Sequence, residues 1–378
     1  MNNGQKQQTR WGLAEQACAE GSPWREAVAT VPREVCLGDA VFRDEGGRWA
    51  VVRRPDVGDE AWLRMACLDR TWVTQVDGVH ADDDAPEDLA GGPTCSSTRP
   101  SLVVRMLDLA GIAEGDQVLE VGTGTGYSTA LLRHRLGADR VTSVECDPAI
   151  ARRAADALRA FGPAPHLVVG DGLRGHAERA PYDALVATCA VRSLPYSWLA
   201  QIREGGTVVA CLGGWMGASG IVRATVNADG GAQGRFSGEP GAFMPARPHA
   251  PGPRPDFFRY AGDVRECRVP PDELDHPGAA LVAQLAAPSA ELAYADGAPL
   301  LRDFGTGSQA WTERADEGWV VHQHGPLRLW DQVEDAIRRW RAAGAPGLDA
   351  FGVSISADNV QRVWLGNPDG PASWPLPV

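Results

Sequence analysis

A strand that runs straight into a glycine-rich turn and then a helix narrows what this chain can fold into. The segment is Val118-Leu-Glu-Val-Gly122-Thr-Gly124-Thr-Gly126-Tyr127. Glycines at alternate positions let the backbone turn sharply, approach a ligand closely and expose amides at a helix N-terminus. A dinucleotide site would require G-x-G-x-x-G/A, and the sixth position here is Tyr127, which obstructs close helix–strand packing against a pyrophosphate. Two acids follow in order. Glu145 closes the next strand, where a carboxylate can accept from both hydroxyls of a ribose. Asp171, in Gly170-Asp171-Gly172, follows the third strand, placed to accept from an adenine amino group. A glycine turn with an acid after each of the next two strands therefore points to an adenosine-bearing ligand without a second nucleotide.

The flanking pattern alternates strand and helix. Gln117–Val121, Arg140–Glu145, His166–Val169, Ala184–Ala187 and Thr207–Leu212 read as strands, and Tyr127–Leu136 and Pro148–Phe161 as helices. Strands separated by helices of this length imply right-handed βαβ units and a mostly parallel, doubly wound sheet. Ile221–Asn227 and Ala232–Phe236 read as a closing antiparallel hairpin. Residues 1–95 read as a helical and loop segment, with helices over Trp11–Cys18 and Pro23–Val31, the latter capped by Ser22. Residues 96–244 then form the α/β domain. Residues 245–256, with five prolines between Pro245 and Pro255, form a connector in which helix and sheet are both disfavoured. Residues 257–378 form a smaller α+β domain. It carries six of the thirteen tryptophans, an amphipathic helix Trp330–Arg341 with Asp331 and Glu334 in a capping-box arrangement, and a terminal hairpin Phe351–Ser356 with Arg362–Leu365.

Composition removes several function classes. The 378 residues carry 36 basic and 49 acidic side chains, a formal charge of −13, which argues against a nucleic-acid partner. Lys6 is the only lysine and lies in a polar N-terminal stretch, so lysine-nucleophile chemistry is nearly excluded. The eight cysteines form no CxxC pair, and no apolar run approaches the roughly 18 residues of a membrane span. Neither a signal peptide nor a membrane anchor is expected, and the location expected is cytoplasmic. The acidic run 81–88 lacks the glycine and spacing of a calcium loop, and His322 and His324 have no acid or cysteine spaced with them, so no metal site is expected.

The constellation resembles the class I S-adenosylmethionine-dependent methyltransferases. Over residues 25–240 it is similar, more narrowly, to the protein-L-isoaspartate O-methyltransferases. The segments that carry this are Val31-Pro-Arg-Glu, Ser97-Thr-Arg-Pro-Ser-Leu-Val-Val-Arg-Met106, the glycine turn, Gly170-Asp-Gly, Tyr182-Asp-Ala-Leu-Val-Ala-Thr-Cys-Ala-Val and Glu204-Gly-Gly-Thr-Val-Val. The resemblance implies a Rossmann-like fold and S-adenosyl-L-methionine as methyl donor, leaving as S-adenosyl-L-homocysteine. It implies that Glu120, Gly122, Thr123, Gly124, Gly126, Tyr127, Glu145, Asp171, Gly172 and Leu173 hold that cofactor. Hydroxyls at Ser97, Thr98 and Ser101 can donate to the reacting carboxylate, with Thr98, alternatively a helix N-cap, the favoured contact; Arg99 is a further substrate contact, and Trp72 and Trp215 either line the peptide groove or pack in the core.

Two departures bear on the substrate. Where the family has a serine two residues before a proline, followed by His or Tyr, this chain has Thr98, Pro100 and Ser101. The proline connector and the ending Val363-Trp-Leu-Gly-Asn-Pro-Asp-Gly-Pro-Ala-Ser-Trp-Pro-Leu resemble the branch associated with ribosomally made, modified peptides: lanthipeptides, lasso peptides and graspetides. That branch implies methylation of one aspartate in a constrained peptide, the ester collapsing to an aspartimide that either persists or hydrolyses to isoaspartate. The alternatives are repair methylation of isoaspartyl residues, a binding or chaperone-like protein without catalysis, and small-molecule methylation. Methyl transfer to a carboxylate already ionised at neutral pH needs no general base, which agrees with the lack of a persuasive Ser/His/Asp set.

Overall fold

The computed structural model describes residues 1–254, 256–259 and 262–377. The chain forms two compact units, Met1–Cys189 with Pro195–Val209, and Ala190–Leu194 with Ala210–Val378. This differs from boundaries at 95, 244 and 256. The reason is strand pairing: β13 (Ala232–Phe236) pairs with β19 (Phe351–Ile355), Ala232 opposite Ile355, so the hairpin packs with residues a hundred positions downstream.

The first unit opens with α1 (Asn3–Ala17), whose capping box uses Asn2 and Gln5, so the N-terminal stretch that includes Lys6 is helical. Helices α2 (Arg25–Thr30) and α3 (Arg33–Cys36) follow. Ser22 does not cap α2; its hydroxyl donates to Asp108 at 3.0 Å. The segment expected to be helix and loop also builds a six-stranded antiparallel sheet: β1 (Ala40–Asp44), β2 (Arg48–Arg53), β3 (Trp72–Val76), β4 (Val79–His80), β5 (Leu89–Ala90) and β6 (Pro93–Ser97). Helices α4 (Arg54–Val57) and α5 (Asp59–Ala66) sit in its longest connection. Two of these strands are only two residues long, and β2 is half-exposed along most of its length, so neither shows the alternation that marks a strand in sequence.

The parallel layer matches expectation closely. Following α6 (Pro100–Ala110) come β7 (Val118–Val121), α7 (Tyr127–Leu136), β8 (Val141–Glu145), α8 (Pro148–Arg159), β9 (His166–Val169) and β10 (Tyr182–Val191). Strands β10, β7, β8 and β9 lie side by side and parallel, with Val118 opposite both Ala184 and Val141, and Glu145 opposite Val169. All four residues of β7 are buried, as in a strand covered on both faces. Helix α8 starts at Pro148 with Asp147 as N-cap, its side chain accepting from the amides of Ala149 and Ile150. A short helix α9 (Tyr196–Leu199) precedes β11 (Ile202–Gly213).

In the second unit β12 (Ser219–Val226), β13, β19, β20 (Gln361–Leu365) and β21 (Ser373–Pro375) are consecutive antiparallel neighbours. A five-stranded antiparallel sheet, in the order β14-β18-β17-β16-β15, was not foreseen: β14 (Asp263–Glu266), β15 (Ala290–Ala295), β16 (Ala298–Asp303), β17 (Gln309–Ala315) and β18 (Gly318–His324). Helices α10 (Pro277–Ala286) and α11 (Leu329–Ala342) pack on one another. Asp331 and Glu334 do not cap α11. Glu334, fully buried, pairs with Arg265 at 2.8 Å and Arg268 at 2.7 Å, and Asp331 with Arg265. The expected connector includes a turn of 3₁₀ helix at Arg247–His249; Pro255 lies outside the described residues. His322 stacks on Trp311 and lies 2.9 Å from Glu313. Among the described residues, no group of three or more His, Cys, Asp or Glu could hold a metal ion, and no helix is long and apolar enough to cross a membrane.

Candidate active site

The glycine turn leaves β7 where that strand meets β8, the amide of Gly122 donating to the Val144 carbonyl at 2.9 Å. Gly122 has φ +95°, and a Cβ there would lie 2.8 Å from Oγ1 of Thr188 on β10. That hydroxyl donates to the Gly122 carbonyl at 2.7 Å, so the turn is clamped from the neighbouring strand. Thr188 was not singled out in sequence, because nothing in a one-dimensional pattern reports a cross-strand clamp.

The two acids converge on this turn. Glu145 Oε2 accepts from the Gly124 amide at 2.9 Å and Oε1 from the Asp147 amide at 3.0 Å. Asp171 Oδ1 accepts from the Leu173 amide at 3.0 Å and caps the 3₁₀ turn Gly172–Arg174. A Cβ on Gly172 would lie 2.5 Å from Val121 Cγ1, so only glycine lets this turn lie against the end of β7. Gly122, Gly124, Glu145, Asp171, Gly172 and Leu173 thus gather at the C-terminal ends of three parallel strands, where open α/β sheets hold their ligands.

Three residues assigned to the cofactor turn their side chains elsewhere. Glu120 is fully buried beneath the turn; its Oε2 accepts from Ser143 Oγ at 2.7 Å and from Thr129, and burial holds its carboxyl above the usual carboxylate range. Thr123 Oγ1 lies 2.6 Å from Ser143 Oγ in the same layer. Tyr127 buries its phenol under the Arg33 guanidinium, 5.5 Å from the ring centre, and burial raises its pKa. A strand enclosed on both faces sends alternate side chains into packing, so proximity in sequence overcounts ligand contacts.

The wall beside the turn rests on one residue that sequence reasoning quoted but did not single out. Arg33 is 1% exposed. Its guanidinium donates to the carbonyls of Ala66, Leu68, Arg70, Ser97 and Thr98 at 2.8–3.1 Å, and Nε donates to Ser97 Oγ at 3.1 Å. This fastens the end of α5 and its following turn to the β6–α6 junction without any carboxylate. The only sequence signal was an arginine in the otherwise helix-starting Val31-Pro-Arg-Glu.

Arg33 sorts the candidate catalytic residues. Ser97 is buried and its hydroxyl is held by Arg33, so it is a structural group rather than a substrate contact. The Thr98 side chain is half-buried, and its hydroxyl makes no hydrogen bond among the described residues. Ser101 donates its amide to Asp69 Oδ1 at 2.8 Å, and Arg99, exposed, donates its amide to Thr71 Oγ1 at 3.0 Å. Trp72 is not a substrate contact: it is 4% exposed, packs with Leu37, Val41 and Trp62, and donates Nε1 to the Met65 carbonyl at 3.0 Å. The β6 strand reaches the cofactor turn directly, since a Cβ on Gly124 would lie 3.6 Å from the Ser96 carbonyl and 4.0 Å from Cys95 Sγ.

A cleft of about 340 Å³ opens on the outer side of the turn, lined by Leu37, Thr74, His80, Asp82, Gly124 and Arg153 among others. Burial pushes the His80 imidazole down to about 4, and its Nδ1 accepts from the Asp82 amide at 3.1 Å. Glu145, Asp171 and Thr98 are not among its lining residues.

Comparison with known proteins agrees with this geometry. The family described as Protein-L-isoaspartate(D-aspartate) O-methyltransferase (PCMT) matches residues 59–237. A protein-L-isoaspartate O-methyltransferase of Thermococcus onnurineus (strain NA1) is 33% identical over 194 residues, which cover 51% of this chain and 79% of that protein. The chain belongs to the protein-L-isoaspartate O-methyltransferase family. Two further members, from Ignicoccus hospitalis and Methanoculleus marisnigri, are 37% and 42% identical over 34% and 35% of this chain; the match spans only 61% and 59% of their own lengths. A solved structure described as a protein-L-isoaspartate O-methyltransferase shares the fold with TM-score 0.53 at 19% identity, over 96% of this chain and all of that one. The fold likeness therefore extends over the C-terminal residues as well. The fold is that of the class I S-adenosylmethionine-dependent methyltransferases, and the chain fits such a cofactor on two structural counts. Gly122 and Gly172 keep clear a cradle that a Cβ would crowd, and Glu145 and Asp171 supply acceptors only, as ribose hydroxyls and an adenine amino group require.

Proposed function

We propose that this chain methylates a peptide or protein carboxylate, that of an isoaspartyl residue, at the expense of S-adenosyl-L-methionine. The observation that carries this is the meeting of the Gly122–Gly126 turn, Glu145 and Asp171 with the β6 end, beyond which Thr98 offers an uncommitted hydroxyl. Bound there, the cofactor supplies an electrophilic sulfonium methyl. Glu145 would take the ribose hydroxyls, Asp171 the adenine amino group, and the turn would lie against the remainder. Thr98 and Ser101 can donate to the substrate carboxylate without protonating it, which fixes the oxygen for an in-line displacement. One oxygen–carbon bond forms as the carbon–sulfur bond breaks, leaving a methyl ester and S-adenosyl-L-homocysteine. An Asp-type carboxyl with a pKa near ~3.9 is already ionised at neutral pH, so positioning and water exclusion are what the protein adds.

A second reading, a dedicated methyltransferase for one aspartate in a constrained modified peptide, draws on Thr98 and Ser101 standing where the family pattern has serine and an aromatic or histidine. The two readings separate in one assay. Purified protein with methyl-labelled cofactor is given an isoaspartyl peptide, the same peptide with ordinary aspartate, and a cyclic aspartyl peptide. Ester on the isoaspartyl peptide alone is the expected result; ester and aspartimide on the cyclic peptide alone would transfer the conclusion to the second reading.

A further inference from the structure

Beyond the glycine-turn site, the second unit holds a cation that, among the described residues, has no partner of opposite charge. Arg192, just past the end of β10, is half-buried, and its guanidinium lies over the Trp215 ring with Cζ 3.7 Å from the centroid. One of its nitrogens, Nη2, donates to the Pro288 carbonyl at 2.6 Å. Among the described residues no carboxylate pairs with it, and burial alone lowers its pKa. It differs in this from half-buried arginines that pair with an acid, such as Arg265 with Glu334 and Arg302 with Glu291.

The surroundings hold Arg192 in place without neutralising it. Ala190 receives the Ala246 amide at 2.8 Å and donates its own to Met244 at 2.8 Å, and the Arg192 amide donates to His249 Nδ1 at 3.1 Å. Trp215 is fixed in turn: its Nε1 donates to the His249 carbonyl at 3.0 Å, and Phe304 meets it edge-on at 4.9 Å. A guanidinium stacked on an indole keeps its in-plane N–H groups directed outward, and that fork matches the two oxygens of a carboxylate.

We infer that Arg192 on Trp215 is a docking site for a carboxylate of the peptide substrate, supplied by an acidic residue other than the one that is methylated. A guanidinium gripping the reacting carboxylate would draw charge from the oxygen that must attack the methyl group, so the acid held here is a different one. The site therefore selects peptides with a second acid. This inference rests on the methyltransferase reading for its substrate but not for its chemistry.

The test uses the full-length protein and two isoaspartyl peptides that differ by Glu against Gln at one flanking position, with that position scanned along the peptide. At the best position the wild type should show a KM about tenfold lower for the Glu peptide, as one charge-assisted bidentate contact gives. Arg192→Met should bring the ratio of the two KM values to about one, and Arg192→Lys should recover part of it. Direct titration of the same peptides, followed by tryptophan fluorescence, gives the ratio of Kd values and needs no turnover. A wild-type ratio of one at every position, or Arg192→Met weakening both peptides equally, would overturn the inference. A selective wild type whose selectivity is matched by inorganic phosphate competing at millimolar concentration, and which binds peptides no better than phosphate, would also overturn it in favour of a simple anion site. Carboxylate-selective binding with no ester formed on any peptide would leave the inference standing and sink the methyltransferase reading instead.

Discussion

Arg33 and Arg192 are both arginines withdrawn from bulk water without a carboxylate, yet the fold treats them in opposite ways. Arg33, 1% exposed, directs its donors to five carbonyls and the Ser97 hydroxyl. Arg192 directs one nitrogen to Pro288 and rests the rest of its plane on Trp215. The same division separates two neighbouring hydroxyls, Ser97 held by Arg33 and Thr98 making no hydrogen bond among the described residues. A polar group whose hydrogen bonds are complete builds the scaffold, and one left incomplete is available to a ligand.

That contrast can be broken most directly at Arg33. Arg33→Met leaves buried carbonyls without donors and should destabilise the protein by about 3–5 kcal/mol, whereas Arg192→Met should change stability by less than about 1 kcal/mol. Denaturant unfolding of the two variants measures both; equal losses would erase the distinction.

His80 gives the next largest effect. Its imidazole, normally near 6.5, is held to about 4 by burial, with Nδ1 already accepting from Asp82. The unfolded chain takes up this proton at higher pH than the folded one, so stability falls as pH drops from about 6.5 towards 4. The loss is at most roughly 3 kcal/mol at 1.36 kcal/mol per pKa unit. His80→Gln should flatten that part of the stability–pH curve.

Glu145 sits between the two classes, because its carboxylate holds the Gly124 amide and is also the proposed acceptor for the ribose hydroxyls. Glu145→Gln should weaken S-adenosylmethionine binding by roughly tenfold to a hundredfold in calorimetry, with a smaller change in unfolding. The finest test compares adjacent residues. Thr98→Val should lower kcat about tenfold, ~1.4 kcal/mol, with little change in stability, and Ser97→Ala should cost about 1 kcal/mol of stability with a smaller effect on kcat. The reverse pattern would mean that the substrate approaches from the Ser97 side.

The parts that could be read in sequence are those where one local pattern decides the structure. Tyr127–Leu136 has the predicted bounds because the glycine turn starts it and Gly137 ends it, and His166–Val169 because Pro165 and Gly170 delimit the run. Gly122, Glu145 and Asp171 came with them, being tied to strand ends. The N-terminal sheet stayed hidden because β4 and β5 carry two residues each and β2 is half-exposed along most of its length, so none of them shows an alternation. Glu120 and Tyr127 misled for a related reason: sequence shows that they flank the turn but not which way their side chains leave it. Arg33 and Thr188 escaped because their function consists of bonds to residues far along the chain.

The span of those bonds has a kinetic consequence. Arg33 reaches partners between 33 and 65 positions downstream, and Thr188 clamps the glycine turn from 66 positions away, whereas the Glu145–Gly124 bond on that turn closes over only 21. Contacts of long sequence separation require more chain closure before any stabilising bond forms. A refolding chain should therefore form the Glu145 side of the glycine turn first, and the Thr188 clamp and the Arg33 wall together after it.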